Sequence, residues 1–186
     1  MDKKFNIEES SLPGVAVLTP RVLSDSRGFF IETWNDADFK EVGIQDRFVQ
    51  DYWTHSKKNV LRGLHCQLPP KPTSKLVRCI QGNIFDVVVD LRLGSPTFKK
   101  WVSFDLNEDD HKTIYIPSGF VHGFYVLSET AETSYKVSEY FYKEYDGGIR
   151  WNDPEIGVPW PTADPIISEK DEALPFLKDI AGQLTW

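Results

Sequence analysis

Two histidines in strand-like sequence are the residues most able to do chemistry in this chain. His65 ends the segment VLRGLH at residues 60–65, and His122 lies in the segment PSGFVHGF at residues 117–124. A single histidine on an apolar strand is usually a packed core residue, but Arg, Gln and Lys residues occur near this pair. The two histidines therefore predict a polar pocket inside a small β-barrel, where an imidazole can act as a base or as a metal ligand.

Few further metal ligands surround these histidines. A typical catalytic zinc or iron site needs three or four imidazole or carboxylate ligands that converge on one point. Cys66 and Gln67 follow His65, and two prolines and Lys71 come next, so only His65 and His122 remain as plausible ligands. The sequence therefore predicts that no metal is bound. A metal-dependent alternative would have to combine the two histidines with Gln67.

Short strands are the elements that must position these side chains. Runs rich in β-branched and aromatic residues alternate with turn residues along most of the chain, which indicates a jelly-roll barrel or a sandwich. Helical pattern is scarce, with short helices predicted only at residues 36–42 and 171–177. Gln81-Gly82-Asn83 is predicted to form a hairpin turn. The predicted strands are residues 15–18, 29–33, 48–54, 59–65, 75–80, 83–91, 101–106, 113–116, 120–126 and 132–141.

Strand parity predicts which side chains of the segment 132–141 share the barrel interior. Alternate residues of a strand point to opposite faces of the sheet. Tyr135 and Phe141 therefore share one face, and Tyr140 lies on the other.

The same parity separates Arg62 from His65. The two side chains reach one pocket only if their strand bends or bulges, and Gly63 is the obvious position for that irregularity. Otherwise Arg62 points to a neighbouring subunit.

Length, charge and cysteine content limit the class of protein. The chain has 186 residues, the size of one domain, which is enough for a substantial core without disulfides. Its net charge of −7 argues against a nucleic-acid partner, because phosphate binding needs a basic face. Cys66 and Cys79 lie in strand-like runs with no signal peptide before them, which predicts reduced thiols in a cytoplasmic protein. The longest apolar stretches, such as residues 84–89, are too short to cross a membrane.

Six separated segments together carry a resemblance to a known family. They are DSRGFFIE (25–32), FVQD (48–51), VLRGLH (60–65), KLVR (75–78), WNDP (151–154) and SEKD (168–171). In this order they resemble the dTDP-4-dehydrorhamnose 3,5-epimerase family of the cupin superfamily, and the resemblance extends from about Leu18 to Asp171, which is nearly the whole chain. It implies an all-β cupin jelly-roll barrel with short flanking helices, formed by residues 1–186 as a single epimerase domain.

The activity implied by this resemblance is epimerisation of C3 and C5 of a dTDP-linked 4-keto-6-deoxy sugar. By this resemblance dTDP-4-dehydro-6-deoxyglucose would become dTDP-4-dehydrorhamnose through an enolate. The enolate forms when a base removes a proton from a carbon next to the ketone. No cofactor is implied, because the 4-keto group of the substrate is itself the electron sink.

The resemblance assigns four catalytic residues. An enolate forms on one face of the sugar and is protonated on the other, so two groups must lie on opposite sides. His65 matches the family's base, and Asp171 matches the carboxylate that orients its ring. Lys75 matches the cation that stabilises the enolate oxygen, and Tyr135 matches the proton donor.

Each of the four residues also has a structural alternative. Asp171 could cap a short helix, and Lys75 could be a solvated cation at the end of a strand. Tyr135 could be a core aromatic whose hydroxyl is hydrogen-bonded. His65 could be a satisfied structural histidine, but its place in the Arg-Gly-Leu-His motif favours catalysis.

Further residues match positions that bind the nucleotide sugar. Guanidinium groups hold a diphosphate well, so Arg27 and Arg62 are the predicted anchors, with Lys170 as a further cation. By resemblance Phe141 stacks on the thymine, and residues 27–32 enter the site of the neighbouring subunit, which implies a homodimer built by strand exchange. The remaining matching positions are Glu32, Gln50, Asp51, His122 and Asp146.

Tyr52 departs from the family's pattern. The family's usual Gln-Asp-Asn run reads Gln50-Asp51-Tyr52 here, so a bulky phenol replaces a small amide near the nucleotide or sugar. An enzyme that epimerises only C3 or only C5 is therefore the first alternative. The other two are a metal-dependent cupin enzyme and a cupin that binds a sugar without reaction.

Overall fold

Strands dominate the computed structural model, which describes residues 4–186. Within these residues no helix has both the length and the apolar character that crossing a bilayer requires. The helices are α1 (Asp36–Glu41), α2 (Glu169–Glu172) and α3 (Leu177–Ile180), with 3-10 turns at Lys143–Tyr145 and Ala181–Gln183. The strands are β1 (Phe5–Glu9), β2 (Ala16–Pro20), β3 (Val22–Asp25), β4 (Gly28–Ile31), β5 (Gln50–Lys57), β6 (Leu61–Gln67), β7 (Lys75–Gln81), β8 (Asn83–Asp90), β9 (Trp101–Asn107), β10 (Thr113–Ile116), β11 (Phe120–Val126), β12 (Thr130–Val137) and β13 (Asp146–Gly148).

Two antiparallel sheets enclose the core. One has six strands in the order β1-β2-β10-β7-β12-β5, and the other has five in the order β13-β6-β11-β8-β9. Val77 and Ile114 of the first sheet pack in one cluster with Val88 and Phe124 of the second, and none of these is more than 2% exposed. Each such side chain contributes roughly 1.5–3 kcal/mol when it leaves water. The predicted all-β jelly-roll architecture is confirmed.

The ten predicted strands are all present, with the predicted ends at β10 and β11 and shifted ends in the others, and the three further strands were not predicted. β13 is an example, because its sequence is Asp146-Gly147-Gly148 and glycine has a low strand propensity. It forms because β6 offers a free edge, to which it pairs from Asp146 opposite Gln67 to Gly148 opposite His65. The pairing with β6 therefore explains why β13 is a strand, whereas the propensity of its own sequence does not.

The hairpin predicted at Gln81-Gly82-Asn83 is wrong. β7 pairs with β10 and β12, whereas β8 pairs with β9 and β11, so Gly82 carries the chain from one sheet to the other. Gly82 has φ +81°, and a Cβ there would lie 2.2 Å from the Thr130 carbonyl oxygen. Local turn chemistry correctly marks a reversal at this glycine but does not specify which strands pair.

The helix predicted at residues 171–177 is also wrong. α2 ends at Glu172 and α3 begins at Leu177, with Pro175 between them, because proline lacks an N–H and disfavours helix before it. Ser168 caps α2, since its side chain accepts a hydrogen bond from the Asp171 amide at 3.1 Å. The alternative in which Asp171 acts as the cap is therefore contradicted.

A separate hairpin and an open sheet edge stand out in the architecture. Among the described strands, β3 and β4 pair only with each other, and Phe29 and Phe30 on this hairpin are 64% and 68% exposed. β5 is the outer strand of the six-stranded sheet, and no strand within residues 4–186 pairs with its free side. Exposed apolar hairpins and long open edges are features that proteins usually cover.

Candidate active site

A cavity of about 380 Å³ lies between the two sheets. Its wall combines side chains of β5, β7 and β12 from the larger sheet with side chains of β6 and β11 from the smaller one. The predicted site residues that line it are Tyr52, Arg62, His65, Lys75, His122, Tyr135, Phe141, Asp146 and Lys170.

His65 and Asp171 form a hydrogen-bonded pair at the cavity. His65 Nε2 lies 2.7 Å from Asp171 Oδ1, and Asp171 is 4% exposed. Burial alone would raise the pKa of Asp171, but the hydrogen bond from His65, its charge and the Gly63 amide together hold that pKa below its usual range. Asp171 is therefore a carboxylate that accepts from Nε2–H, which leaves the lone pair of His65 Nδ1 available to take a proton.

A bulge in β6 brings Arg62 and His65 to the same cavity. β11 advances from His122 to Phe124 while β6 advances from His65 to Arg62, so β6 holds one extra residue. Gly63, at φ +129°, lies within this bulge. The bend predicted at Gly63 is confirmed, and with it Arg62 lines the cavity of its own chain.

Glycine is required at the bulge by close packing. A Cβ on Gly63 would lie 2.5 Å from the Cα of Gly123, and a Cβ on Gly123 would lie 2.7 Å from the Arg62 carbonyl oxygen. The two strands therefore cross at a point where neither backbone has room for a side chain.

Lys75 places an amine beside the His65 backbone. Its Nζ donates to the His65 carbonyl oxygen at 3.1 Å. Burial lowers the pKa of Lys75, and the nearby carboxylates of Asp86 and Asp146 act in the opposite direction. The amine is thus a hydrogen-bond donor held in a site where water is largely excluded.

His122 lies directly opposite His65 across the β6–β11 pair. Its Nε2 is 2.6 Å from Oδ2 of Asp86, and Asp86 is fully buried. Burial lowers the pKa of His122, which the Asp86 carboxylate partly offsets. Asp86 was not among the predicted residues, although a lone carboxylate in the run Ile84–Val89 signals a paired buried charge.

Tyr135 and Tyr52 form one wall of the cavity. They are directly paired across β12 and β5, and their ring centroids are 6.0 Å apart. The Tyr135 hydroxyl lies 3.5 Å from Thr54 Oγ1, which is a long hydrogen bond, and Thr54 Oγ1 is itself 2.6 Å from Thr133 Oγ1. The threonine pair had no clear sequence signal.

The segment after β12 reaches the cavity although the strand ends at Val137. Phe141 lines the cavity and its amide donates to Gln50 Oε1 at 3.0 Å, whereas Tyr140 is exposed. Gln67 Nε2 donates to the Tyr140 carbonyl oxygen at 3.1 Å and holds this segment in place. Phe141 and Tyr135 thus share the cavity as predicted, but through a loop and not through a continuous strand.

Charged side chains surround the cavity. Arg62 Nε donates to Ser56 Oγ at 2.9 Å, which fixes the guanidinium on the wall. Lys170 forms an ion pair with Asp146, and both residues line the cavity. Arg62, Lys75 and Lys170 thus place three cationic side chains on the cavity wall, and such groups attract an anionic ligand.

Four predicted binding residues lie outside this cavity. Arg27 is on the exposed β3–β4 hairpin and pairs with Asp25, while Glu32 pairs with Lys4. Asp51 is exposed and pairs with Lys136 at 2.8 Å. Gln50, the fourth, contacts the cavity only through the Phe141 amide. One chain therefore does not bring these side chains to the cavity wall.

A metal site requires several ligating side chains that converge on one point. Among residues 4–186, no group of three or more His, Cys, Asp and Glu side chains could hold a metal ion. His65 and His122 each direct Nε2 to a carboxylate, and Gln67 is hydrogen-bonded to backbone groups of Lys71, Tyr140 and Tyr142. The two cysteines, Cys66 and Cys79, are free and buried.

Comparison with known proteins gives a consistent result. The model of the dTDP-4-dehydrorhamnose 3,5-epimerase family matches residues 9–179. The enzyme of that name from Shigella flexneri is 46% identical over 90% of this chain and 93% of its own length. The one from Methanothermobacter thermautotrophicus is 47% identical over 90% and 92% of the two chains.

A solved structure is similar over almost the full length. It is a dTDP-6-deoxy-D-glucose-3,5-epimerase from Legionella pneumophila in complex with dTDP-4-keto-L-rhamnose. The TM-score is 0.92 and the identity 41%, with 97% of this chain and 96% of the Legionella chain covered.

Proposed function

This chain belongs to the dTDP-4-dehydrorhamnose 3,5-epimerase family, and we propose that it inverts C3 and C5 of a dTDP-4-keto-6-deoxy sugar with His65 as its base. The observation that carries the assignment of the base is the hydrogen bond of 2.7 Å between His65 and Asp171 at a cavity that Lys75 and Tyr135 also line. The substrate is dTDP-4-dehydro-6-deoxyglucose and the product dTDP-4-dehydrorhamnose.

Proton abstraction is the first step at each carbon. The lone pair of His65 Nδ1 takes the proton next to the ketone, and the imidazolium that forms is stabilised by the Asp171 carboxylate. Because Asp171 is buried and also accepts from the Gly63 amide, the imidazole ring is held in one orientation. Substrate binding energy is then not needed to orient the base.

The enolate needs a donor near the C4 oxygen. Lys75 is the proposed donor, because its amine is on the cavity wall next to His65. An ammonium group in a site with little water interacts more strongly with developing negative charge than it would in bulk water. The 4-keto group thus accepts the electron pair, and no cofactor is required.

Reprotonation from the opposite face completes each inversion. Tyr135 is the proposed acid, because it lies on the β12 wall while His65 lies on β6 in the opposite sheet. A phenol is a weak acid in general, but an enolate carbon is basic enough to take its proton. The phenolate then recovers a proton from water, and the His65 imidazolium releases to water the proton that it removed.

The nucleotide is proposed to bind at the charged and aromatic part of the cavity. Arg62 and Lys170 are cations that can hold the diphosphate, and Phe141 offers an aromatic face to the thymine. Asp146, Tyr52 and His122 complete this lining in one chain. Gln50 supports Phe141 through its amide.

We further propose a homodimer in which the β3–β4 hairpin of one chain adds to the site of the other. Two observations support it: the hairpin exposes Phe29 and Phe30, and the free edge of β5 lies beside Tyr52 on the cavity wall. Exchange would bring Arg27 and Glu32 to a ligand that they do not reach in their own chain. Asp51, exposed on β5, would then lie in the interface.

Two broader proposals accompany the assembly. Residues 1–186 act as one epimerase domain, of which residues 1–3 lie outside the described part of the chain. The enzyme works in the cytoplasm, where thiols such as those of Cys66 and Cys79 stay reduced. Burial raises the pKa of Cys66 to about 12, so this cavity residue stays protonated.

Incubation with dTDP-4-dehydro-6-deoxyglucose in deuterated water, followed by NMR of the sugar, tests the function. We expect deuterium at both C3 and C5 and inversion of both. Labelling of one carbon alone would make the protein a single-carbon epimerase, and activity that a chelator removes would indicate a metal-dependent cupin. Binding without any labelling would leave a non-catalytic sugar-binding protein.

The Tyr135→Phe variant separates abstraction from protonation in the same assay. Proton exchange with solvent should persist, because His65 needs no phenol, while net inversion falls by about 100-fold. Inversion at the wild-type rate would show that another group delivers the proton.

A further inference from the structure

A row of three hydroxyl groups ends at the proposed acid. Tyr135 and Thr133 lie on the same face of β12, and Thr54 on the neighbouring β5 is directly opposite Thr133. Thr54 Oγ1 is 2.6 Å from Thr133 Oγ1 and 3.5 Å from the Tyr135 hydroxyl oxygen. Because Thr54 and Tyr135 both line the cavity, the row extends from the buried core to the site of the proposed reaction.

Burial fixes the direction of the hydrogen bond between the two threonines. Thr133 is fully buried, and among residues 4–186 its hydroxyl group has a single hydrogen-bond partner, Thr54 Oγ1. A buried hydroxyl group that donates no hydrogen bond is costly, so the Thr133 proton is directed at Thr54. A hydroxyl oxygen has two lone pairs and one proton. Thr54 therefore accepts from Thr133 and keeps its own proton free to donate.

The Tyr135 oxygen offers an acceptor for the Thr54 proton when the reaction makes it negative. While Tyr135 carries its own proton, the distance of 3.5 Å to Thr54 is long for a hydrogen bond. Once Tyr135 has given that proton to the enolate carbon, its oxygen bears a charge. Hydrogen bonds to a charged oxygen are shorter and about twice as strong as those between neutral groups. The Thr54 contact thus stabilises the reacting state more than the ground state.

We infer that Thr54 is a positioning residue for the proposed acid, and that it donates a hydrogen bond to the Tyr135 oxygen as the phenolate forms. This inference rests on the proposed function, in which Tyr135 protonates both enolate carbons. In each protonation the O–H bond of Tyr135 breaks, a C–H bond forms at the enolate carbon, and the C4 oxygen returns to a ketone. Thr54 and Thr133 keep their protons throughout, and the phenolate afterwards takes a proton from water.

The Thr54→Val variant tests the inference, because it removes the donor and keeps the shape of the side chain. We expect inversion of C3 and of C5 to fall by about tenfold, which is typical for the loss of one hydrogen bond to a charged group. Deuterium exchange at both carbons should stay within about twofold of wild type, since His65 removes the protons, and KM should not change. Thr54→Ser retains a hydroxyl group and should restore inversion. NMR of the sugar in deuterated water measures exchange and inversion together.

A double-variant cycle shows whether Thr54 acts through Tyr135. In a Tyr135→Phe background, Thr54→Val should cause no further loss of inversion, because no phenolate forms. The matched control is Thr130→Val, which makes the same substitution on β12 outside the cavity lining and should behave as wild type.

A second variant guards against a loss of folding. Thr54→Val leaves the buried Thr133 hydroxyl group without its acceptor, which destabilises the chain. If Thr54→Val does not fold, its combination with Thr133→Val replaces both hydroxyl groups by apolar groups of the same shape. This pair of substitutions should be tolerated and should show the same tenfold loss of inversion.

Several results would overturn the role of Thr54. Wild-type inversion in Thr54→Val would do so, and so would an equal loss in Thr54→Ser or a further loss in the Tyr135→Phe background. A raised KM with unchanged inversion would make Thr54 a contact of the sugar instead. A wild-type chain that labels neither carbon contradicts the proposed function itself, and inversion at the wild-type rate in Tyr135→Phe contradicts its acid. A defective Tyr135→Phe beside an unaffected Thr54→Val contradicts only this inference.

Discussion

The His65–Asp171 pair and the β3–β4 hairpin carry two parts of the proposed site, and they are held in opposite ways. Asp171 is 4% exposed and fixed by three groups, namely the His65 ring, the Gly63 amide and the Ser168 side chain through its own amide. Arg27, in contrast, is exposed and pairs with Asp25, two residues away. The base and its carboxylate are thus pre-organised within one chain, whereas the position of the Arg27 guanidinium depends on what the hairpin contacts.

That difference has an energetic basis. A buried carboxylate without partners is costly, so the fold around Asp171 must satisfy it before any ligand arrives. An exposed arginine paired with a neighbouring aspartate gains little from that pair, because water screens both charges. Mutations in the first region should therefore change the rate of reaction, and mutations in the second should change binding.

The largest effect is expected from His65→Asn. We expect turnover to fall by about 10⁴-fold, because the substitution removes the base while an amide of similar size keeps the wall intact. Deuterium wash-in at C3 and C5 measures it directly. His55→Asn is the matched control, since His55 is an exposed histidine that pairs with Glu132 outside the cavity lining. Wash-in at the wild-type rate in His65→Asn would remove His65 from its role.

Asp171→Asn should have the next largest effect. We expect a loss of about 10³-fold in kcat, because the neutral amide no longer stabilises the imidazolium and can favour the wrong tautomer. Ser168→Ala serves as the comparison, since it removes only the cap of α2 and should cost about 1 kcal/mol of stability with little change in rate. Equal rate losses in the two variants would mean that Asp171 acts through the helix and not through His65.

Arg27→Ala should have the smallest effect of the three. We expect KM for the nucleotide sugar to rise about tenfold with kcat nearly unchanged, which is the signature of a uniform binding contact. An unchanged KM would exclude the hairpin from ligand binding.

Mixed dimers sharpen the comparison between the two regions. If the hairpin is exchanged, a dimer of Arg27→Ala with His65→Asn holds one site with both defects and one intact site. The assay is run at a substrate concentration well below KM, where Arg27→Ala is defective. Random mixing should then restore about a quarter of the wild-type sites, because half of the dimers are mixed and each has one good site of two. If the mixture is no more active than the two variants measured separately and summed, Arg27 acts in the site of its own chain or in no site at all.

The two regions also differ in how far sequence reasoning described them. The Arg-Gly-Leu-His motif with its glycine predicted the cavity position of His65, and it marked Gly63 as the place where a bulge would bring Arg62 to the same cavity. Asp86 was not predicted, because it lies outside the six matching segments, although a single carboxylate in an apolar strand is visible in the sequence. The partner of Asp86 is His122. The pairing of β8 with β11 brings the two together by placing Asp86 opposite Phe124, and the sequence does not reveal this register.

Long-range pairing is what the sequence could not supply. Gly82 signals a reversal in any β protein, but whether two flanking strands pair depends on which other strands compete for their edges. β13 similarly exists only because an edge of β6 is available. Strand parity gave the correct side for Phe141, but the predicted strand was too long, because β12 ends at Val137 and Phe141 reaches the cavity through a loop held by Gln67 and Gln50.

The crossing of Gly63 and Gly123 limits how this protein can change during evolution or in the laboratory. Each glycine excludes a side chain on the other's strand, so the two positions are locked together and neither can be altered first. A mutant library that aims at a new sugar preference should hold this crossing constant and vary the outer wall at Tyr52 and Phe141. The geometry of the base is then inherited unchanged while the shape of the pocket diversifies.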